Sequence, residues 1–356
     1  PIVKMQNNFT VNNRLIGEKA PAFIIAEISG NHGGSLEKAL KLIEKAKQIG
    51  ADAVKLQTYT ADTITLNSSK EDFLIPSGNA WEDSNTLHSL YSEAYTPWKW
   101  HKRLFEYARE LDIEIFSSPF DETAVDFLEE LNVKIYKIAS PEIFDLAFLK
   151  KVAATKKPVI ISTGLAEFDD IDLAVSTLRE SGTEDIIILK CSTAYPLPFQ
   201  EVNLKTMIDI KEKFGTVVGL SDHTIGIGVP LAAVALGAKV IEKHIVFENE
   251  ETVDSFFSLE TDNFGEMIKE IRNIEQAMGK IDYELTESVK KNFWARRSLY
   301  FYKDVKKGES LKGTYKSVRP GYGLHPKYFD EISTYIAAKN IEKGERVDWD
   351  SITKSQ

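Results

Sequence analysis

Strand-length apolar runs recur between residues 23 and 244 of the chain. Each run is almost continuously hydrophobic and is bounded by residues that favour turns or helix caps, which is the pattern of a strand buried on both faces. The eight runs span 23–29, 53–58, 113–118, 135–140, 158–163, 186–192, 217–223 and 239–244. The pattern therefore predicts eight strands of one largely parallel sheet.

Helical periodicity fills the intervals between these runs. Ser35 is placed to cap the first helix, and Pro97 suits the first position of the second. The helices are predicted over 36–49, 97–111, 121–131, 145–154, 167–180, 203–214, 228–236 and 262–278. Eight strand–helix units in roughly 250 residues predict a (β/α)8 TIM barrel, with an open doubly wound sheet as the alternative. The count of eight and the polar residues that end every strand favour the closed barrel.

Two regions depart from this alternation. Residues 58–96 join the second strand to its helix through Asn, Ser, Pro and Gly, and a loop this long is typical of a functional segment or a lid. After Met278 the helical periodicity stops, and segments 303–311 and 339–347 share a Lys-Gly-Glu turn at the same spacing. We therefore predict a barrel domain over 1–278, a linker over 279–292 and a small β-rich domain over 293–356.

Composition and charge disfavour several classes of protein. Of the 356 residues, 43% are hydrophobic and 28% are charged, which is ordinary for a globular protein. No apolar run approaches the roughly 18 residues of a transmembrane helix, and the first residues do not have the pattern of a secretory signal. The net charge of −10 disfavours nucleic acid and anionic membranes as partners. Cys191, the only cysteine, allows no intrachain disulfide, so we expect a cytoplasmic protein.

Lysines and hydroxyl groups end several of the predicted strands, where a barrel carries its active site. The lysines are Lys55, Lys137 and Lys190. The accompanying serines are Ser118, Ser140, Ser162 and Ser221. Converging ammonium groups and hydroxyl donors predict a binding site for a small anion with several oxygens, such as a phosphate or a carboxylate. The alternative is that each lysine simply extends into solvent at its strand end.

Two histidines end neighbouring strands at equivalent positions. Strand alternation places His223 on the same face as Ser221, and His244 on the same face as Glu242. Two imidazoles within reach of one ion would leave the remaining coordination positions to substrate and water, as a catalytic metal requires. The alternative is a pair of hydrogen-bonded core histidines. His32 is placed at the barrel mouth, where it can contact a ligand. The remaining histidines are interpreted as surface or loop residues: His88, His101 and His325.

Glu27 ends the first strand and faces the predicted lysine-rich pocket. An acid in this position is either a general base or a salt-bridge partner of a lysine, and both interpretations stay open from the residues alone.

These motifs together resemble the sialic acid synthase (NeuB-like) family. The resemblance rests on IIAEISGNHGGS, ADAVKLQTYTAD, FSSPFDETAVDFL, YKIAS, STG, LSDHTIGIG and ALGAKVIEKHI, in this order. The C-terminal region, with RPGYGLHP and the two KGE turns, is similar to the family's antifreeze-like SAF domain, a small β-clip fold. YTADTITL, EAYTPWKWHKRLFEYA, VDSFFSLE and RRSLYFYKD most resemble the pseudaminic acid synthase branch.

The resemblance implies an enzyme, a phosphoenolpyruvate-dependent transferase that forms a C–C bond. In the branch indicated, phosphoenolpyruvate condenses with 2,4-diacetamido-2,4,6-trideoxy-L-altrose to give pseudaminic acid and phosphate, with cleavage of a C–O bond and a requirement for a divalent metal. The alternatives are an N-acetylneuraminate or legionaminate synthase and, more distantly, a metal-dependent aldolase or a non-catalytic carbohydrate-binding protein.

The resemblance also assigns roles to residues. Manganese or magnesium would bind His223 and His244, and Glu27 would handle the proton of the tetrahedral centre. Phosphoenolpyruvate contacts would come from Lys55, Ser118, Lys137, Ser140, Ser162 and Ser221. Sugar contacts would come from Gln57, Tyr195 and Asp254, with Arg319 inserted by the small domain into the partner subunit of a domain-swapped homodimer. We assign the apolar surface that a 6-deoxy sugar needs to Tyr59, Trp81, Phe256 and Phe257, whose alternative role is ordinary packing.

Overall fold

The structure is a computed structural model that describes residues 8–355. The chain divides into two compact units between Gly279 and Lys280. The described part of the first unit begins with an antiparallel hairpin of β1 (Asn8–Val11) and β2 (Arg14–Gly17). Its apolar residues Phe9, Val11 and Ile16 join the cluster of side chains inside the barrel, so the hairpin contributes to the barrel core.

Eight parallel strands follow and close into a ring. They are β3 (Phe23–Glu27), β4 (Ala53–Thr58), β5 (Glu114–Pro119), β6 (Tyr136–Ile138), β7 (Val159–Ser162), β8 (Ile186–Lys190), β9 (Val217–Asp222) and β10 (Val240–Val246). Strand β10 pairs with both β9 and β3, which confirms the (β/α)8 barrel and excludes the open sheet. Every residue of these strands is buried except the half-buried Gln57, so their near-continuous apolar character reflects burial on both faces.

Helices surround the barrel as predicted. They are α1 (Leu36–Gln48), α4 (Trp98–Glu110), α5 (Glu122–Glu130), α6 (Leu146–Ala153), α7 (Phe168–Glu180), α8 (Lys205–Phe214), α9 (Gly228–Ala235) and α10 (Thr261–Met278), with α2 and α3 in the loop described next. Ser35 caps α1 by accepting a hydrogen bond from the Lys38 N–H. Pro97 was predicted at the first helical position of α4. It occupies the N-cap position instead, and the first helical residue is Trp98. No helix of residues 8–355 has the length and hydrophobicity needed to cross a membrane.

The long segment 58–96 is more ordered than its composition indicates. It contains α2 (Ala61–Ile64) and α3 (Leu87–Ala94), together with single 3-10 turns at Glu71–Phe73 and Glu82–Ser84. Each of the two helices begins with a capping box, Thr60 with Thr63 and Thr86 with Ser89. A second loop leaves β10 and ends at β11 (Leu259–Glu260), which pairs with the end of β10.

The second unit contains α11 (Glu287–Lys290) and two antiparallel strand pairs. The pairs are β12 (Ser298–Phe301) with β13 (Tyr315–Val318), and β14 (Tyr335–Ala337) with β15 (Ile352–Lys354). The two Lys-Gly-Glu turns have the same geometry. In each, a glutamate accepts a hydrogen bond from the backbone N–H three residues before it, at 2.9 Å for Glu309 and 2.8 Å for Glu345. Gly308 and Gly344 supply the positive φ that these turns require, 85° and 96°.

Candidate active site

The C-terminal ends of β3, β4 and β5 bring four predicted site residues together. Lys55 Nζ lies 3.0 Å from Glu27 Oε2 and donates a hydrogen bond to Ser118 Oγ at 3.0 Å. Gln57 Nε2 donates to the other carboxylate oxygen, Glu27 Oε1, at 2.7 Å. Glu27, Lys55 and Ser118 are buried. The lysine therefore does not extend into solvent, and Glu27 is held by two donors at once.

Glu242 is a member of this group to which the sequence analysis gave no role. Its carboxylate lies 3.5 Å from Lys55 Nζ and 3.6 Å from Lys137 Nζ, so it links two strand-end lysines across the barrel. We refer to Glu27, Lys55, Lys137 and Glu242 as the inner charge cluster. One sequence signal could have placed Glu242 at the site. It precedes His244 by two residues on β10, so strand alternation puts both side chains on the inward face.

The two carboxylates of the inner charge cluster differ in their affinity for protons. Burial raises the pKa of Glu27, with the nearby Glu242 carboxylate acting in the same direction. Burial also acts against ionised Glu242, but Lys137 and Lys55 outweigh it and hold the pKa of Glu242 below its ordinary value. Glu27 is therefore the member that takes up a proton more readily, a property required of a group that exchanges protons with a substrate.

The remaining predicted anion-binding residues surround this cluster. Ser140 Oγ accepts a hydrogen bond from the Gly164 N–H at 2.9 Å, and Ser221 is buried at the end of β9. Ser162 Oγ is buried without a hydrogen-bond partner among residues 8–355, so its hydroxyl is available to donate to a bound anion. Lys190 is bound locally, since its Nζ donates to Ser192 Oγ at 2.6 Å and to the Cys191 carbonyl at 3.2 Å.

The two predicted metal ligands lie side by side, with ring centres 5.6 Å apart. His223 Nδ1 faces the Ser192 carbonyl at 3.1 Å and donates to it, so Nε2 is the nitrogen that a metal can bind once the ring is neutral. Burial acts against the charged ring, but the neighbouring Cys191 and the Ser192 carbonyl outweigh it and raise the pKa of His223, so metal binding must displace a proton there. His244 Nδ1 lies 3.2 Å from Ser29 Oγ, and the Ser29 hydroxyl also bonds the carboxylate of Asp254. Donation from His244 Nδ1 to Ser29 would leave its Nε2 unprotonated.

These donors fit a divalent ion that is shared between protein and substrate. Burial holds the pKa of His244 well below its ordinary value, so its imidazole is neutral and can bind a metal. No cluster of three or more His, Cys, Asp or Glu side chains within residues 8–355 is placed to hold a metal. Two imidazoles with their Nδ1 atoms engaged would therefore leave most coordination positions to substrate oxygens and water.

Aromatic side chains from three loops pack beside the histidines. We call Trp81, Tyr195, Phe256 and Phe257 the aromatic cluster. The Trp81 ring centre lies 5.2 Å from that of Tyr195 and 5.6 Å from that of Phe256, and its Nε1 donates to the Val253 carbonyl at 3.0 Å. Phe257 packs on His244 with ring centres 4.7 Å apart. Tyr59, predicted with this group, packs instead against Tyr91 and Phe120.

A cavity of about 530 Å³ opens at this end of the barrel. Its walls combine predicted site residues with the long loop: Gln57, Tyr59, Trp81, Tyr91, Tyr195, His244, Asp254 and Phe257 are among them. The volume lies within the range of small-ligand pockets. The interpretation of residues 58–96 as a functional segment is consistent with this position, because residues 75–94 of the loop contribute much of the wall.

Asn31 positions one wall of this cavity and was missed as a functional residue. Its amide donates to the Ile245 carbonyl and to Ser258 Oγ, both at 2.8 Å, and its carbonyl accepts from Thr252 Oγ1 at 2.6 Å. These bonds hold both ends of the segment that carries Asp254. Burial raises the pKa of Asp254, which is held by the Ser29 hydroxyl and the Gly30 N–H.

Three predicted residues lie elsewhere. His32 is buried and hydrogen-bonded to Thr96 at 3.0 Å, so it joins two loops instead of facing the cavity. The interpretation of His101 as a surface or loop residue is wrong, because His101 is fully buried in α4 and bonds Thr58 Oγ1 at 2.9 Å. Arg319 is exposed and belongs to the second unit, so its contact with a partner's sugar stays a prediction.

Comparison with known proteins decides the family. Residues 42–283 match the model of the NeuB family, which spans most of the barrel and its strand-end residues. The chain belongs to the NeuB family. Among other members, pseudaminic acid synthase of Campylobacter jejuni is 47% identical over 325 residues, which cover 91% of this chain and 94% of the relative. N,N'-diacetyllegionaminic acid synthase of the same species is 40% identical over 330 residues, covering 91% and 98%.

A solved structure of a NeuB relative agrees with the fold. N-acetylneuraminic acid synthetase from Leptospira borgpetersenii superimposes with a TM-score of 0.70 at 32% identity, covering 81% of this chain and 95% of that one. The NeuB assignment and the site geometry concern the same residues, since each strand end of the inner charge cluster except that of β3 lies within the matched range.

Proposed function

We propose that this NeuB protein condenses phosphoenolpyruvate with 2,4-diacetamido-2,4,6-trideoxy-L-altrose to give pseudaminic acid and phosphate. The observation that carries the proposal is the 47% identity to a pseudaminic acid synthase over 91% of the chain, which includes the strand ends that form the site. The inner charge cluster supports it, because its buried lysines, with a Ser162 hydroxyl that has no hydrogen-bond partner among residues 8–355, suit the phosphate and carboxylate of phosphoenolpyruvate.

The residues of the chain would act at successive points of the reaction. Lys55 and Lys137 hold the phosphate and carboxylate while carbon 3 of phosphoenolpyruvate bonds to the aldehyde carbon of the sugar. Carbon 2 then becomes positive, water adds to it, and Glu27 handles the proton of the resulting tetrahedral centre. That centre loses phosphate by breaking its C–O bond, which leaves the keto group of the product. A divalent manganese or magnesium ion on His223 and His244 would supply Lewis-acid polarisation of the aldehyde oxygen.

The sugar would lie against the aromatic cluster. A substrate with a methyl group at carbon 6 needs an apolar surface there, and Trp81 and Phe257 line the cavity beside Asp254. Gln57, Tyr195 and Asp254 would contact its polar groups. A legionaminate synthase is the second candidate, because the relative with that activity is 40% identical over 91% of this chain. An N-acetylneuraminate synthase is a further alternative.

Phosphate release tests the reaction class. We expect phosphate only when phosphoenolpyruvate and the diacetamido sugar are both present, because C–O cleavage follows C–C bond formation. Lys137→Met removes an anion-binding charge and should lower turnover, whereas Lys157→Met, which breaks a surface pair with Glu129, should not. A metal-dependent aldolase would form product without phosphate, and a binding protein would form none. Either outcome contradicts the proposal.

We also propose that the enzyme is cytoplasmic and works as a domain-swapped homodimer, with residues 293–356 as the SAF domain. Apolar residues within the predicted linker support a second copy, since Ile281 is 92% exposed and Tyr283 is 96% exposed in the single chain. Arg319 follows this linker in a Pro-Gly turn, and its guanidinium suits a carbonyl or carboxylate group of the substrate.

Mixing two inactive variants tests the exchange. Arg319→Ala chains and Glu27→Gln chains should each be inactive, yet a mixed dimer would carry one site with neither substitution. After subunit exchange, about a quarter of wild-type activity is expected, because half of the dimers are mixed and each has one intact site. No recovery after verified exchange would mean that Arg319 acts in its own chain or not at all.

A further inference from the structure

A buried ion pair lies directly behind the two histidines. Lys243 and Asp222 face away from the barrel interior, are 1% and 2% exposed, and place Nζ and Oδ2 2.5 Å apart. Their backbones are partners in the register between β9 and β10. Asp222 immediately precedes His223 and Lys243 immediately precedes His244, so the pair joins the two strands one residue before both histidines.

The same two side chains also hold the turn that carries His223. Lys243 Nζ donates a second bond, to the Thr224 carbonyl, at 2.7 Å. Asp222 Oδ1 accepts from the Thr224 N–H at 3.1 Å, and both carboxylate oxygens lie 2.9 Å from the Thr224 hydroxyl. The residues on both sides of His223 are therefore bonded to each other and to the strand of His244, which fixes the backbone of one histidine relative to the other.

Stability alone does not require charges in this place. A buried lysine or aspartate loses its hydration, and replacing a buried pair by uncharged residues of similar volume is often neutral or stabilising. What an uncharged pair cannot supply is the directed bond from Lys243 to the Thr224 carbonyl. Groups behind metal-binding histidines typically change metal affinity or activity 10–100-fold when they are altered.

We propose that Lys243, Asp222 and Thr224 are positioning residues that set the distance and orientation of His223 and His244 as ligands of one divalent ion. This inference rests on the metal site of the proposed function. None of the three side chains touches the ion itself; they act through the backbone of their histidine neighbours.

Titration with Mn²⁺, with the free ion followed by electron paramagnetic resonance, tests the inference without an activity assay. The variant Asp222→Asn with Lys243→Met keeps both volumes, leaves no unpaired buried charge and retains an acceptor for Thr224. We expect its dissociation constant for Mn²⁺ to rise about 10–100-fold. The control is Asp52→Asn with Arg272→Met, an ion pair of 3.1 Å at the opposite end of the barrel whose members also pair with Arg14 and Glu275. It should lower the unfolding midpoint and leave Mn²⁺ affinity within about twofold.

Thr224→Val provides an independent variant if the double substitution does not fold. It removes only the hydroxyl bonds to Asp222, and Mn²⁺ affinity should fall about three- to tenfold. Wild-type affinity in either folded variant overturns the positioning role while the metal site stands. A wild-type protein that binds no Mn²⁺, with His223→Ala behaving in the same way, overturns the metal site and this inference together.

Discussion

The inner charge cluster and the aromatic cluster share one cavity end of the barrel, but their residues are held in different ways. Glu27, Lys55, Lys137 and Glu242 lie on strands, are at most 4% exposed and are joined by ion pairs across the barrel. The aromatic residues lie on loops, contact one another by ring edges, and include Phe256 at 41% exposure. The strands of a closed barrel hold charged groups in fixed positions, which suits a substrate that related synthases share. The sequence of the loops, in contrast, can change without disrupting the barrel.

This contrast assigns separate tasks to the two clusters. The charge cluster would bind phosphoenolpyruvate, which the proposed reaction and its synthase alternatives share. The aromatic cluster would select the sugar, which differs between them. His223 and His244 lie between the clusters, because both rings pack against Phe257 and the strand of His244 also carries Glu242. Substitutions in the charge cluster should therefore change kcat or the KM for phosphoenolpyruvate, and substitutions in the aromatic cluster should change the KM for the sugar.

Removal of the metal is expected to have the largest effect. Chelation should lower turnover at least about 10³-fold, since Lewis-acid polarisation of a carbonyl is worth several kcal/mol, and added Mn²⁺ or Mg²⁺ should restore it. Circular dichroism of the chelated protein serves as the control for an intact fold. Full turnover by a chelated, metal-free sample would contradict the assignment of His223 and His244.

Glu27→Gln tests the charge cluster. The substitution keeps the size of the side chain and removes its proton exchange, so kcat should fall about 10²–10⁴-fold with little change in either KM. Glu114→Gln is the matched control, because Glu114 is a buried carboxylate at the opposite end of strand β5 and should leave kcat unchanged. A small loss of kcat with a raised KM for phosphoenolpyruvate would instead make Glu27 a salt-bridge partner of Lys55.

Trp81→Ala tests the aromatic cluster. It removes the bond to the Val253 carbonyl and the edge contacts with Tyr195 and Phe256. The KM for the sugar should rise about tenfold, while the KM for phosphoenolpyruvate stays constant. Trp81→Phe keeps a ring and loses only the hydrogen bond, so its effect should be smaller. Equal changes in both KM values would show that the two clusters are not separate in function.

Glu142 follows β6 near Lys137 of the inner charge cluster and should show the smallest effect. It is half-buried, its Oε2 has no hydrogen-bond partner among the described residues, and burial raises its pKa from 4.5 to about 8. Between pH 4.5 and about 8 the folded protein keeps the proton of Glu142, whereas the unfolded chain loses it. Wild-type stability should therefore fall as pH rises through that interval, fully retained only below pH 4.5.

Glu142→Gln removes the titrating group. Its unfolding midpoint should rise relative to wild type between pH 5 and 8, by an amount that grows with pH. Glu130→Gln makes the same charge change on the exposed surface of α5 and is the control. Parallel curves for wild type and Glu142→Gln would contradict the raised pKa.

The strand-end residues were predictable because they depend on local pattern. Apolar runs located all eight strands, and alternation identified the inward residues Glu27 and Lys55 from their own neighbours. The role of Glu242 was not predictable in this way, since its lysine partners come from strands more than 100 residues away. Asn31 was missed for the same reason, because its partners follow it by more than 200 positions.

His101 shows a signal that was present but unused. It precedes Leu104, Phe105 and Ala108, all buried, by three, four and seven positions, which is the spacing of one helix face.

Helices α2 and α3 were not predicted from the sequence, for a different reason. Each is shorter than nine residues and begins with Thr and a Thr or Ser partner, not the Glu or Gln that usually marks a capping box.

Specificity constants measured side by side for three sugars give the sharpest test of the proposed substrate. Wild-type enzyme with saturating phosphoenolpyruvate and Mn²⁺ would be assayed with the 6-deoxy diacetamido altrose, the precursor of legionaminic acid and N-acetylmannosamine. We expect kcat/KM to be higher for the diacetamido altrose than for N-acetylmannosamine, because the aromatic cluster offers apolar surface instead of hydroxyl partners. We expect it to exceed that for the legionaminic acid precursor as well, because the identity to a pseudaminic acid synthase is 47% and that to a legionaminic acid synthase is 40%. Equal or better use of N-acetylmannosamine, or of the legionaminic acid precursor, would contradict it.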